Sequence, residues 1–294
     1  MKVLIRYGAY PIVLTLGVLG HLWCLRMGLS LPVATYIPIV LGALLIMGFE
    51  WMAPFRCSWG PDMAALRQDA IFMVVVQGML PLFLSFAVSL TLLEGLHLQG
   101  EMGWSLWPHY WPVVAQMGLM MVLADGLRYG LHRVAHEWRP LWRFHAVHHS
   151  PHILYWLNVG RFHPVDKGVQ FLFDSLPFLI LGIGEEVLAF YMVCYALNGF
   201  FQHCNIDVRL GWLNYVISGP ELHRWHHSKW TEESNHNYGN NLIVWDLVFG
   251  TWYLPQGRMV EELGLINRAY PMTFFEQVAV PFTSEAEPQT TVGL

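Results

Sequence analysis

Five histidines fall between His132 and His149 in "HRVAHEWRPLWRFHAVHH", and "HRWHH", His223 to His227, repeats the spacing of the last three. A helix turns about 100° per residue, so positions i, i+3 and i+4 lie on one face. His145, His148 and His149 share such a face, as do His223, His226 and His227, while His132 and His136 stand one turn apart on another helix. With fifteen histidines in 294 residues, random placement gives roughly 0.04 H-x-x-H-H matches per chain, so two matches are a signal. Clustered imidazoles with no other shared partner point to metal. Eight of them exceed the ligand set of one zinc ion and fit two ions. Imidazole suits iron, zinc, copper and nickel alike. A zinc-protease H-E-x-x-H is absent, because Pro140 stands where its second histidine belongs. The Glu-x-x-His pairing of a carboxylate di-iron bundle is also missing. His21, His97, His109 and His152 are isolated and read as loop or packing residues.

The elements that must hold these groups are apolar helices. The chain is 55% hydrophobic and 13% charged, with a mean hydropathy of +0.39; soluble domains carry about a quarter charged residues. Apolar runs at Tyr10 to Cys24, Leu31 to Met52, Ile71 to Leu93 and Trp111 to Leu127 approach the roughly 20 residues that span a bilayer. The first reads as a retained anchor rather than a signal peptide, since no small-residue cleavage site follows it. A further apolar block, Gly168 to Phe201, is broken by Pro177, Gly182 and Gly184 and reads as a re-entrant helical hairpin that returns His203 to the side it left. Eleven of the sixteen basic residues follow Leu127, and the loop from Glu94 to His109 has none. The positive-inside rule therefore places both termini and the histidine motifs in the cytoplasm.

The expected fold is an all-α integral membrane protein with about four spans, the hairpin, and a cytoplasmic helical cap holding a dimetal site. Residues 1–110 would form the N-terminal membrane region, 111–255 the catalytic domain and 256–294 a C-terminal segment whose polar tail, "TSEAEPQTTVGL", lacks the residues for a core. A net charge of −5 without a basic block gives no reason to expect nucleic acid. Cys24, Cys57, Cys194 and Cys204 lack C-x-x-C spacing and indicate neither a disulfide framework nor a zinc ribbon.

In order, "HRVAH", "HAVHH", "RFHPVD", "QHCN", "HRWHH" and "NYGNNLIVWDLVFGTWY" resemble the sterol desaturase and fatty acid hydroxylase superfamily of membrane di-iron enzymes, from Asp125 to about Tyr253. The resemblance implies that His132 and His136, then His145, His148 and His149, then His223, His226 and His227 are metal ligands. His203 matches a further histidine, although Gly199 stands where some members carry its partner; His163 either completes the set or lines the pocket. Asp125, Asp166, Glu221 and Asp246 are candidates to accept ring N–H groups of the ligands. Asp246 leads, because an unpaired charge in "LIVWDLVFG" would be costly. Asn237, Tyr238 and Gly239 read as a supporting turn, with Gly239 free to take positive φ.

The resemblance further implies two iron ions and O₂ as co-substrate, acting on an unactivated C–H bond of a lipid by hydroxylation or desaturation. Electrons would come from a separate ferredoxin or b-type cytochrome with its reductase, since the chain has no G-x-G-x-x-G or cysteine-ligated cluster motif. Two other classes compete. A metal transporter would carry ligands at bilayer depth, whereas the dense motifs follow the fourth apolar run. A bis-histidine haem protein would leave two H-x-x-H-H triads unexplained.

Overall fold

The computed structural model describes residues 1–88 and 106–283. Most of the loop that begins at Glu94, with His97, and the polar tail beyond Thr283 lie outside the described residues. Within them the chain is helical, with isolated bridges and no β-strand.

Three helices are long and apolar enough to cross a membrane: α1 (Lys2–Arg26), α2 (Leu31–Met52) and α3 (Met63–Val88). α1 and α2 form a hairpin whose turn uses Gly28 at φ +78°, a left-handed conformation that glycine adopts without penalty. Their outer faces expose Leu16, Leu19, Leu41 and Leu44, as lipid-facing helices do. α3 starts eight residues before the apolar run and contains a π-helical stretch, Met73–Met79. Gly160 lies against its first residue, so close that a Cβ there would stand 3.1 Å from the Met73 Cα. The fourth apolar run forms the first half of α4 (Val113–Glu137). The second half of the same helix carries Arg128, His132, Arg133 and His136, so α4 joins the apolar bundle to the histidine layer.

α5 (Arg139–His149) follows after a break at Trp138. Over the block from 168 to 201 the chain forms α6 (Pro164–Asp174), α7 (Leu176–Ile180) and α8 (Glu185–His203), with Gly182 at φ +79° between the last two. α8 packs into the groove between α1 and α2, where Leu197 and Val193 meet Val13, Ile39 and Ala43 in one buried cluster. Close approach depends on two glycines, since a Cβ on Gly17 or on Gly42 would stand 2.2 or 2.3 Å from a Leu197 methyl. Small residues of this kind let apolar helices meet at the backbone. Leu197 can turn away from one added methyl but not from two on opposite sides. The double substitution Gly17→Ala/Gly42→Ala is therefore expected to destabilise the bundle by about 1–3 kcal/mol, as overpacking does, while either single change has less effect. Thermal unfolding in detergent measures this, and additive small effects would place the adaptability elsewhere.

Four further short α-helices follow: α9 (Pro220–His226), α10 (Thr231–Ser234), α11 (Val244–Phe249) and α12 (Phe274–Ala279).

Candidate metal centre

α4, α5, α8 and α9 bring nine buried histidines together in two groups. His132, His136, His145, His149 and His226 form one; His148, His203, His223 and His227 form the other, and within each group one ring nitrogen per residue lies within 4.8 Å of all the rest. Each H-x-x-H-H triad is divided. The first and last histidines of the α5 triad enter the five-membered group and His148 crosses to the other; the α9 triad does the reverse, sending His226 across.

The ring nitrogens reveal the proton arrangement. His132 Nδ1 bonds the Tyr238 carbonyl at 2.8 Å, His148 Nδ1 the Arg161 carbonyl at 3.2 Å and His226 Nδ1 the His236 carbonyl at 2.8 Å. His145 Nδ1 bonds Asp166 Oδ2 at 2.9 Å, His136 Nδ1 Asn235 Oδ1 at 3.1 Å and His203 Nδ1 Asn158 Oδ1 at 2.9 Å. Carbonyl and carboxylate oxygens only accept, so these Nδ1 atoms donate, which leaves lone pairs on the Nε2 atoms of neutral rings. The Nε2 atoms of His132 and His145, whose Nδ1 atoms both donate, lie 3.0 Å apart, and those of His136 and His203 lie 3.1 Å from Nε2 of His149 and of His223 respectively. Burial, then the neighbouring imidazoles, hold His132, His136, His148, His149, His223 and His227 well below the ordinary imidazole value. Burial pushes His203 and His226 down to about 3. Buried imidazole nitrogens converging in this way are a donor set for a transition-metal cation, and the residues present fit two such ions.

Aromatic rings wall the two groups. Trp142 lies 5.2 Å from the His136 ring and 5.5 Å from that of His149, Phe162 stacks on His148 at 4.0 Å, and Tyr238 packs 5.2 Å from His136.

His163 stands apart from both groups. Its Nδ1 accepts from the Val165 amide and caps α6, and its Nε2 bonds the Val278 carbonyl at 3.0 Å. Among the four candidate carboxylates, Asp166 meets a histidine directly. Despite the burial that raises it, His145 holds the Asp166 carboxyl below the ordinary carboxylate value. Asp246 acts one step away: its oxygens take the Tyr238 and Gly239 amides at 2.8 and 2.7 Å and the Thr251 hydroxyl at 2.7 Å. Asp125 takes the Asn241 amide and side chain and the Leu242 amide, and Glu221 takes the Leu210 amide and Asn214. These carboxylates fix loops rather than rings.

The turn at Asn237 to Gly239 also differs from expectation. The left-handed residue is Asn237, at φ +57°, while Gly239 is needed for close approach, since a Cβ there would stand 2.4 Å from the Leu242 carbonyl oxygen. Asn158, Asn235 and the carbonyls of Arg161, Tyr238 and His236 were not singled out by the sequence. The asparagines carried no histidine-like spacing, and a backbone carbonyl has no residue signature at all.

The fatty acid hydroxylase family model matches residues 117–251, the span that contains all nine clustered histidines. The chain is 30% identical to the ornithine lipid hydroxylase OlsE of Rhizobium tropici over 282 residues, covering 95% of this chain and 85% of that protein. It belongs to the sterol desaturase and fatty acid hydroxylase superfamily. Human alkylglycerol monooxygenase is 30% identical over 154 residues, 52% of this chain and 33% of that protein. Methylsterol monooxygenase 1 of Gallus gallus is 25% identical over 150 residues, 50% and 49% respectively. The chain thus spans half or less of these last two relatives. No solved structure gives a significant match. These members of the superfamily are lipid hydroxylases or monooxygenases by name, and the chain shares with them the histidine-bearing region.

Proposed function

We propose that this protein hydroxylates an unactivated C–H bond of a membrane lipid at a di-iron centre held by the nine clustered histidines. The observation that carries this reading is the pair of buried imidazole groups whose unprotonated nitrogens converge at the end of an apolar bundle. The relatives' names, hydroxylase and monooxygenase, favour insertion of oxygen over desaturation. Two bound irons would supply the activation of O₂. The chain's residues do the rest. The Tyr238, Arg161 and His236 carbonyls and Asp166 keep a proton on Nδ1 of His132, His148, His226 and His145, so that Nε2 stays free to ligate. Trp142, Phe162 and Tyr238 exclude water from the rings, and the apolar faces of α1 to α4 offer a lipid chain lateral access from the bilayer.

The electron donor is a separate ferredoxin or b-type cytochrome, and the histidine layer and both termini face the cytoplasm, in keeping with the basic residues that follow Leu127. Counting the first half of α4 as a fourth span gives this topology. Reporter fusions at Thr231 and Glu101 are expected on opposite sides of the membrane; the same side would overturn it.

Comparative lipidomics of cells with and without the gene tests the reaction. A lipid that gains one oxygen atom's mass only when the gene is present is the expected result; loss of two hydrogens instead would mean desaturation. Asp166→Asn is expected to lower metal affinity about 10- to 100-fold, as loss of a carboxylate behind a ligand histidine does. Chelator competition on purified protein reads this directly, and unaltered retention would leave Asp166 a purely structural partner of His145.

A further inference from the structure

Arg224 and Trp225 lie on α9 between the ligand-bearing positions and line a cavity of about 140 Å³, with Phe55, Arg209, Glu221 and the turn from Leu254 to Val260. Arg224 is 3% exposed, yet among the described residues it forms no ion pair within 4 Å. Its Nη2 donates to the Ile206 carbonyl at 2.6 Å, its guanidinium lies 4.1 Å from the centre of the Phe55 ring, and its Nε has no hydrogen-bond partner. The nearby carboxylates are committed elsewhere. Glu221 takes the Leu210 amide, Asn214 and Arg209, and Asp207 pairs with Arg6 and Arg209. Arg258, on the turn lining the cavity, pairs with Glu233 and lies over the Trp225 ring at 5.4 Å. Arg209, Arg224 and Arg258 thus line the cavity together with one acidic residue, Glu221. Glu221 and Asp207 act on Arg224 only from beyond ion-pair distance, so an anion in the cavity would complete the compensation of this buried guanidinium.

The position of the cavity indicates where that anion comes from. Phe55 is three residues beyond the end of α2, and the amide of Arg209 bonds the carbonyl of Arg6, near the start of α1, at 2.9 Å. The cavity thus lies where the α1–α2 hairpin leaves its apolar stretch, the end at which membrane-spanning helices meet headgroups.

We propose that this cavity binds a phosphate oxyanion, with Arg224 as its buried anchor and Arg258 as its outer contact. A lipid headgroup or free phosphate supplies the same chemistry, since guanidinium forks match tetrahedral oxyanions. The site contains no clustered histidine and stands whether or not the histidine groups hold iron.

The test uses the full chain in neutral detergent, with two probes. Inorganic phosphate is titrated against chloride at equal ionic strength while the unfolding midpoint is followed. Separately, protein returned to phosphatidylglycerol nanodiscs and re-extracted is weighed intact by native mass spectrometry. A saturable phosphate shift, a retained phospholipid, or both, is the expected result. Retention identifies the headgroup as occupant, and a phosphate shift without retention identifies the free ion. Arg224→Met is expected to abolish binding and Arg258→Ala, on the exposed side, to weaken it about tenfold, the size of one charge-assisted contact. Neither signal in the native protein, or undiminished binding in Arg258→Ala, would overturn the proposal even if Arg224→Met fails to fold.

Discussion

Replacing His148 by alanine is expected, on the proposed two-ion reading, to cost the protein one metal ion and all turnover, whereas His226→Ala lowers metal affinity and leaves most of the metal bound. The difference lies in the size of the groups. His148 belongs to a set of four, and its loss leaves His203, His223 and His227; His226 belongs to a set of five, and four imidazoles remain. No neighbour can replace His148 without turning α5, because His145 and His149 on the same helix are already committed to the other group. Loss of a supporting residue behind a ligand costs about 10- to 100-fold in metal affinity, and loss of the ligand itself in the smaller set exceeds that. Metal per chain, measured in detergent alongside product formation, checks the contrast. His163→Ala is the control, since both nitrogens of that ring are spent on the Val165 amide and the Val278 carbonyl. Full metal and turnover in His148→Ala would end the two-group reading. Equal metal loss in His163→Ala would mean that the variants report a general folding defect.

Arg161→Met is expected to destabilise the protein by about 3–5 kcal/mol, the effect of breaking a buried ion pair from one side. Arg161 and Asp69 are each 2% exposed at the side chain and pair directly, with the Arg161 Nε 2.7 Å from Asp69 Oδ1. Asp69 lies on α3, while Arg161 Nη1 reaches the Met272 carbonyl at 3.1 Å and Gln277 Oε1 at 3.2 Å. One guanidinium thus ties a membrane helix to the C-terminal segment, and its own backbone carbonyl receives the His148 ring proton. The double variant Asp69→Leu/Arg161→Met removes both charges and should recover much of the loss. Unfolding midpoints measure both, and limited proteolysis should find residues 260–283 more accessible in the single variant. A cost below about 1 kcal/mol, typical of an exposed pair, would show that water reaches Asp69.

The sequence alone disclosed which histidines cluster and the faces that carry them. It also contained, unread, the division of each triad. At about 100° per residue, i and i+4 differ by about 40°, whereas i+3 lies about 60° to the other side of i. His145 and His149 therefore point together and His148 diverges, and His223 and His227 leave His226 in the same way. The division of the block from 168 to 201 into separate helices was legible because Pro177, Gly182 and Gly184 interrupt its apolar run. The start of α3 was not, because Met63 to Ala70 is mixed in polarity and hydropathy cannot mark a helix that extends beyond its apolar run. The roles of the carboxylates were beyond reach for a related reason. Asp125 and Asp246 satisfy amides of a loop more than 100 and about seven residues away respectively, and which amides a fold leaves unpaired depends on its tertiary path.

α5 and α9 exchange one histidine each, and this crossing makes the two groups mechanically dependent. Rotating α5 about its axis to bring His145 and His149 inward swings His148 away from the other set, and rotating α9 has the converse effect. A cation seated in either group thereby fixes the azimuth of both helices and pre-organises the other. Linkage then requires that the second cation do the same for the first. Loading by this protein should accordingly be cooperative, with the singly filled chain a minor species throughout a titration.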